Sequence, residues 1–306
     1  MILIQENQTS EVSMTGKTFY LIGCASGIAG ADIHSGDGPI TIKNSAKMSK
    51  LTEAGINVEW KDMLLTTDTP GKRLDEAVAQ SCKELAEVVM PLVKNREKIC
   101  VVGGDHSCAI GTWSGVHEAI REEGDLGLIW IDAHMDSHTP ETSDSGLIHG
   151  MPLACLLGYG YPTLTSVLHP QSKIKPENIC LIGVRSYEKG EADLLRRLNV
   201  RVYFMDEVEK RGFSSVLQEA VEYVTRHAAN YGVTIDIDSV DPQDAPGVDV
   251  PEKAGIRGND LCDGLRKIVS DSRLIATEVV EFDPSHDVEG KTEKLIADIL
   301  EIIAKG

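Results

Sequence analysis

Strand-sized apolar runs alternate along this chain with longer amphipathic stretches, and that alternation leaves few folds open. Runs at 19–22, 58–60, 99–102, 126–131, 179–184, 202–204, 233–237 and 274–280 are short and rich in Val, Ile and Leu, as buried strands are. Between them, 74–93, 107–123, 189–198, 213–230 and 260–271 carry helical patterns, and 291–304 closes the chain with one more. Val78, Leu85, Val88 and Val89 fall on one helical face, as do Leu217, Ala220, Val221 and Val224. Such a chain builds an α/β fold whose mostly parallel sheet is covered on both sides. Length alone would allow about two domains at roughly 150 residues each. No linker or internal repeat divides the 306 residues, however, and they read as one domain. The first sixteen carry no motif and read as a flexible tail.

Charge narrows the function. Thirty Lys and Arg against 48 Asp and Glu leave a net −18, the wrong sign for a nucleic-acid or anionic-membrane binder. Arg185, Arg196 and Arg197 are too few to overturn that. The seven cysteines are odd in number and form no CxxC pair, so they read as reduced, buried thiols. The N-terminus lacks the basic and apolar regions of a secretory signal, and no run of about 18 apolar residues is present to span a membrane. The cytoplasm is the expected location.

Three segments place polar residues directly after strands: 23–39, 103–107 and 132–152. In parallel α/β sheets, ligands bind outside the carboxyl ends of the strands. The run at 126–131 delivers Asp132, His134 and Asp136; 233–237 delivers Asp236 and Asp238; 99–102 delivers Asp105 and His106. One such pair would be a set of solvated loop residues. Several of them at neighbouring strand ends make a different case, because crowded carboxylates repel unless cations neutralise them. Two divalent ions balance the four charges of Asp132, Asp136, Asp236 and Asp238. On a straight strand Asp132 and Asp136 would lie about 13 Å apart, so the chain must curl after Asp132 for both to reach one ion. Oxygen-rich Asp/His ligation suits Mn²⁺, with Fe²⁺, Co²⁺ or Ni²⁺ as alternatives, better than Zn²⁺.

In their order and spacing, GGDHS (103–107), DAHMD (132–136), SGLIHGMP (145–152) and DIDSVDP (236–242) resemble the ureohydrolases. That family includes arginases, agmatinases, formimidoylglutamases and guanidino-acid hydrolases, and the likeness to arginases is greatest. The resemblance implies a three-layer α/β/α fold with an eight-stranded sheet, two Mn²⁺ per subunit and a homo-oligomer, trimeric or hexameric. It implies one ion on His106, Asp132, Asp136 and Asp236, and a second on His134, Asp132, Asp236 and Asp238. A hydroxide between them would attack the guanidinium carbon of L-arginine and release ornithine and urea. Glu281 matches the carboxylate that pairs with the guanidinium, and a fork of that shape suits a carboxylate. His149 matches the proton-shuttle histidine. Asp136, His149 and Glu281 are thus the expected catalytic residues.

Ser145, Glu188 and Glu191 fall where arginases contact the amino-acid end of the substrate. Four positions depart from the arginase pattern. Leu147 and His138 stand in place of asparagines, and Asp249 and Val250 in place of glycine and threonine. His138 would then donate to the substrate carboxylate. Losing a carboxylate donor changes specificity strongly, so agmatine, a guanidino acid and formimidoylglutamate remain alternatives. A non-catalytic guanidinium sensor is a further one. A deacetylase on a related fold would need a mononuclear Zn²⁺ site, and the second carboxylate pair argues against it.

Overall fold

The computed structural model describes residues 18–66 and 71–306; the proposed N-terminal tail lies outside them. The strands are β1 (Phe19–Ala25), β2 (Val58–Leu65), β3 (Lys98–Gly103), β4 (Leu126–Ile131), β5 (Ile179–Val184), β6 (Arg201–Phe204), β7 (Asn230–Asp236) and β8 (Leu274–Val280). They form one sheet in the order β2-β1-β3-β8-β7-β4-β5-β6, with every pairing parallel.

Alternate strand residues feed two helical layers, as the pleat requires. Ile129 and Ile131 of β4 pack with Val216 and Leu217 from helix Phe213–Val224, Leu261 from Gly258–Ile268, and Ile299 from Lys291–Lys305. Leu128 and Trp130 pack the other way, with Leu85 and Val89 from helix Leu74–Lys94 and Trp113 from Ala109–Ile120. The fold is the expected three-layer α/β/α sandwich. Gly232 in β7 shows how tight one interface is: a Cβ there would sit 2.0 Å from the Trp113 ring.

The element limits differ from expectation where local chemistry overrides periodicity. The helix expected over 213–230 ends at Val224, because Asn230 and Tyr231 pair with β4 as the start of β7. The strand expected over 233–237 therefore begins earlier. It stops at Asp236, whose carboxylate accepts the Asp238 N–H and starts a helical turn, Ile237–Ser239. Helix Ala109–Ile120 starts later than expected because Asp105 caps a separate turn, His106–Cys108, through the Ser107 N–H. All seven cysteines are free and buried, as expected. No helix of the described residues is long and apolar enough to cross a membrane.

Candidate metal centre

The central strands β3, β8, β7 and β4 are neighbours, so the residues that follow them are brought together at one edge. After β3, Gly104 allows the turn: a Cβ on it would lie 2.0 Å from the Ser26 carbonyl oxygen. After β4, Asp132 Oδ1 accepts the His134 N–H at 2.7 Å. Asp136 adopts a φ of 46°, in the left-handed region, and its carbonyl accepts N–H bonds from Leu153 and Ala154. This is the curl that the Asp132–Asp136 spacing requires.

The buried His106 ring ends among three carboxylates. Its Nδ1 lies 2.9 Å from Asp136 Oδ2, 3.1 Å from Asp236 Oδ2 and 3.3 Å from Asp132 Oδ2. On the other side of Asp132, His134 Nδ1 lies 3.0 Å from Asp238 Oδ2 and 3.6 Å from Asp132 Oδ1. Ligand atoms of His106, Asp132, Asp136 and Asp236 fall within 4.8 Å of one another, as do those of Asp132, His134 and Asp238. Asp132 enters both groups. Asp236 enters only the first, and its other oxygen accepts the Asp238 N–H.

Electrostatics mark the cluster as short of positive charge. Burial, then the charge of Asp132, pushes the Asp136 carboxyl up to about 7. Burial also lifts Asp236 well above the ordinary range, with Asp238 adding to it. At His106, burial is outweighed by the surrounding carboxylates, which hold the imidazole far above its usual value. His106 Nδ1 and Asp136 Oδ2 are buried without a hydrogen-bond partner. Buried polar atoms are normally paired, and two divalent cations would serve both atoms and balance the four carboxylates. The donor set fits the metals that the sequence implies.

Supporting residues that the sequence reading missed aim these ligands. Thr234 Oγ1 donates to Glu278 Oε2 at 2.7 Å, so it accepts from His106 Nε2 at 3.1 Å. That leaves the Nδ1 lone pair for a metal, the usual work of such outer partners. Glu278 also accepts from Thr112 Oγ1 and Trp113 Nε1. Trp130 donates to Asp132 Oδ2 at 2.8 Å and stacks on His106 with ring centroids 4.3 Å apart. A glutamate inside the apolar run LIATEVV was the available signal.

Beside the cluster, Glu281 has a φ of 65°. A non-glycine residue there is strained, and such strain gathers at functional sites. It is held by its own N–H to the Gly104 carbonyl and by the His106 N–H to Oε1, both 2.7 Å. His149 Nδ1 lies 3.1 Å from the same Oε1. Burial lowers the His149 pKa, but Glu281 outweighs it and pushes it up to about 9.

These groups line a cavity of about 210 Å³ with Ser143, Ser145, Leu147, Glu188, Glu191 and Val250. Ser145 is exposed at its edge. His138 also lines the cavity, and both of its nitrogens have partners within the chain: Nδ1 meets Thr142 Oγ1 at 3.2 Å, and Nε2 lies 3.3 and 3.4 Å from Glu188 and Glu191. Asp249 points elsewhere, towards Asp283 and His286. A larger cleft, about 480 Å³, lies by the amino ends of β3, β7 and β8, beside Lys98, Asn230 and Leu274, far from this chemistry. Size does not select the site.

The Arginase family model matches residues 18–304. The chain belongs to the arginase family. It is 35% identical to an arginase of Brevibacillus brevis over 278 residues, 89% of this chain and 92% of that one. A Bacillus caldovelox arginase is 38% identical over 225 residues, 74% of each chain. The crystal structure of Bacillus subtilis arginase superposes with a TM-score of 0.84 at 32% identity, covering 95% of this chain and 99% of that one. A formimidoylglutamase of Bacillus subtilis, 21% identical with a TM-score of 0.75, shares the fold. Members of the arginase family hydrolyse amidine carbon–nitrogen bonds in small molecules with the help of metal ions, and this chain is such a hydrolase.

Proposed function

We propose that the protein hydrolyses L-arginine to ornithine and urea with two Mn²⁺ ions held by His106, Asp132, Asp136, Asp236, Asp238 and His134. The observation that carries this reading is Glu281 Oε1, which His149 and the His106 N–H fix at the edge of the carboxylate cluster. A planar guanidinium paired with Glu281 sits beside the metal ligands. The ions would lower the pKa of water so that a hydroxide is available at neutral pH. His149, carrying a proton because Glu281 outweighs burial, gives it to the departing amine. Glu188 and Glu191 hold the substrate ammonium. Ser145 faces its carboxylate, with His138 held by Glu188 and Glu191 as a positioning residue.

A second reading within the class has its own support. Leu147 offers the cavity an apolar side chain, and both His138 nitrogens are engaged within the chain. A substrate carboxylate then meets serine hydroxyls and few other donors, which suits agmatine or another guanidino compound. The test is product formation by the purified, Mn²⁺-loaded protein offered arginine, agmatine, 4-guanidinobutyrate and formimidoylglutamate separately. Urea from arginine is the expected result. Urea from another compound alone moves the substrate and keeps the chemistry, and formamide removes His149 from its role. No product with two ions bound supports a guanidinium sensor. Light scattering on the same sample reads the proposed trimer or hexamer, and the cytoplasm is the proposed compartment.

A further inference from the structure

A second group of carboxylates lies behind the cavity wall, and the proposed activity does not use it. Asp249 precedes Val250 of the wall, and Asp283 follows Glu281 by two residues. Both side chains are buried, at 2% and 0% exposure. Each has one oxygen bound by a backbone N–H: Asp249 Oδ2 by Asp32 at 3.3 Å, and Asp283 Oδ1 by Ser285 at 2.6 Å. The other two, Asp249 Oδ1 and Asp283 Oδ2, are buried with no hydrogen-bond partner. They lie with a His286 nitrogen inside 4.8 Å of one another. His286 Nδ1 is 3.3 Å from Asp283 Oδ2, 4.0 Å from Asp249 Oδ1 and 3.2 Å from the Val248 carbonyl oxygen.

Two buried, unpartnered carboxylate oxygens cannot face each other as bare charges. A bound cation or a shared proton must lie between them. The loop holds them ready for a cation: Asp283 N–H bonds to the Gly247 carbonyl, and Gly247 N–H bonds to Thr292 Oγ1. These contacts tie the Asp283 backbone to the segment that leads to Asp249. We propose that Asp249 Oδ1, Asp283 Oδ2 and His286 Nδ1 form a third divalent-cation site, separate from the six-residue centre. Two oxygens and one imidazole nitrogen suit a hard to borderline ion such as Mn²⁺. On loading, His286 moves its proton from Nδ1 to Nε2, which the half-exposed ring allows, and the Val248 carbonyl is released to face the ion.

The test counts metal, so it does not depend on turnover. The intact protein is dialysed against Mn²⁺ alone over a range of concentrations, and bound metal per subunit is measured by mass spectrometry. Asp249→Asn keeps the acceptor for the Asp32 N–H and is expected to bind one ion fewer than the parent. Asp283→Asn and His286→Ala are expected to lose the same ion, and His286→Ala stands in if Asp283→Asn does not fold. Asp132→Ala empties the other centre and retains this ion, so failure of either assignment is seen separately. Equal metal counts in the parent and Asp249→Asn at every concentration would overturn the proposal. Equal counts together with a higher Tm for Asp249→Asn would show that the pair shares a proton instead.

Discussion

The floor and the rim of the cavity are built on different physical terms. On the floor, His106, Asp132, Asp236 and Asp238 sit at or just past strand ends, buried and aimed by backbone N–H groups, Thr234 and Trp130. At the rim, Ser143 and Ser145 bond to each other and to nearby backbone on a turn, and Glu188 is largely exposed. Floor residues are fixed by the sheet, whereas rim residues are fixed mainly by neighbours a few positions away. Chemistry that tolerates little misplacement belongs on the floor, and substrate choice belongs on loops that can vary without disturbing the sheet.

The sharpest way to break this contrast is at Asp132, the carboxylate shared by both ligand groups. Asp132→Ala is expected to lose both ions and reduce urea formation to background, with metal content as the check. Asp236 belongs to one group only. Its replacement by Ala tests whether it bridges: loss of both ions says that it does, and retention of one says that it does not.

His149 joins floor to rim, since it holds Glu281 and lines the cavity. His149→Ala is expected to lower kcat by about 10²–10⁴-fold, the usual worth of a general acid, with the metal count unchanged. The sign of the pH effect follows from the proton it must carry. The imidazole is held up to about 9, so the parent's rate falls as pH rises through His149's pKa, and that limb disappears in the variant. An unchanged profile would remove His149 from proton transfer.

The floor was legible in the sequence because its ligands follow apolar runs at fixed spacings. The curl after Asp132 also followed from strand geometry alone, and Asp136 has the positive φ that it needs. Glu278 and Thr234 were not legible as partners of His106. They lie 172 and 128 residues from it in sequence, respectively, and only the β3-β8-β7 order brings the three together. His138 was legible as a departure from the arginase pattern but not as a side chain already engaged, because Glu188 and Glu191 reach it from the segment after β5, the strand beside β4. Thr234→Val removes the acceptor of His106 Nε2 and keeps the shape. It is expected to weaken metal binding about 10–100-fold, as loss of an outer partner does, measured by competition with a chelator. No change would mean that the carboxylates alone orient His106.

The smallest expected effect lies at the rim, at Leu147. Its side chain lines the cavity near Ser143 and Ser145, where asparagine would offer an N–H donor to a substrate carboxylate. A net hydrogen bond contributes about 1 kcal/mol, so Leu147→Asn is expected to lower KM for arginine about fivefold. The same change leaves kcat and the KM for agmatine, which has no carboxylate, where they were. That split separates the two substrate readings. An arginine-shaped cavity gains only with arginine, while one shaped for an amine loses agmatine affinity as an apolar wall becomes polar. The rim would then set the substrate while the floor keeps the reaction.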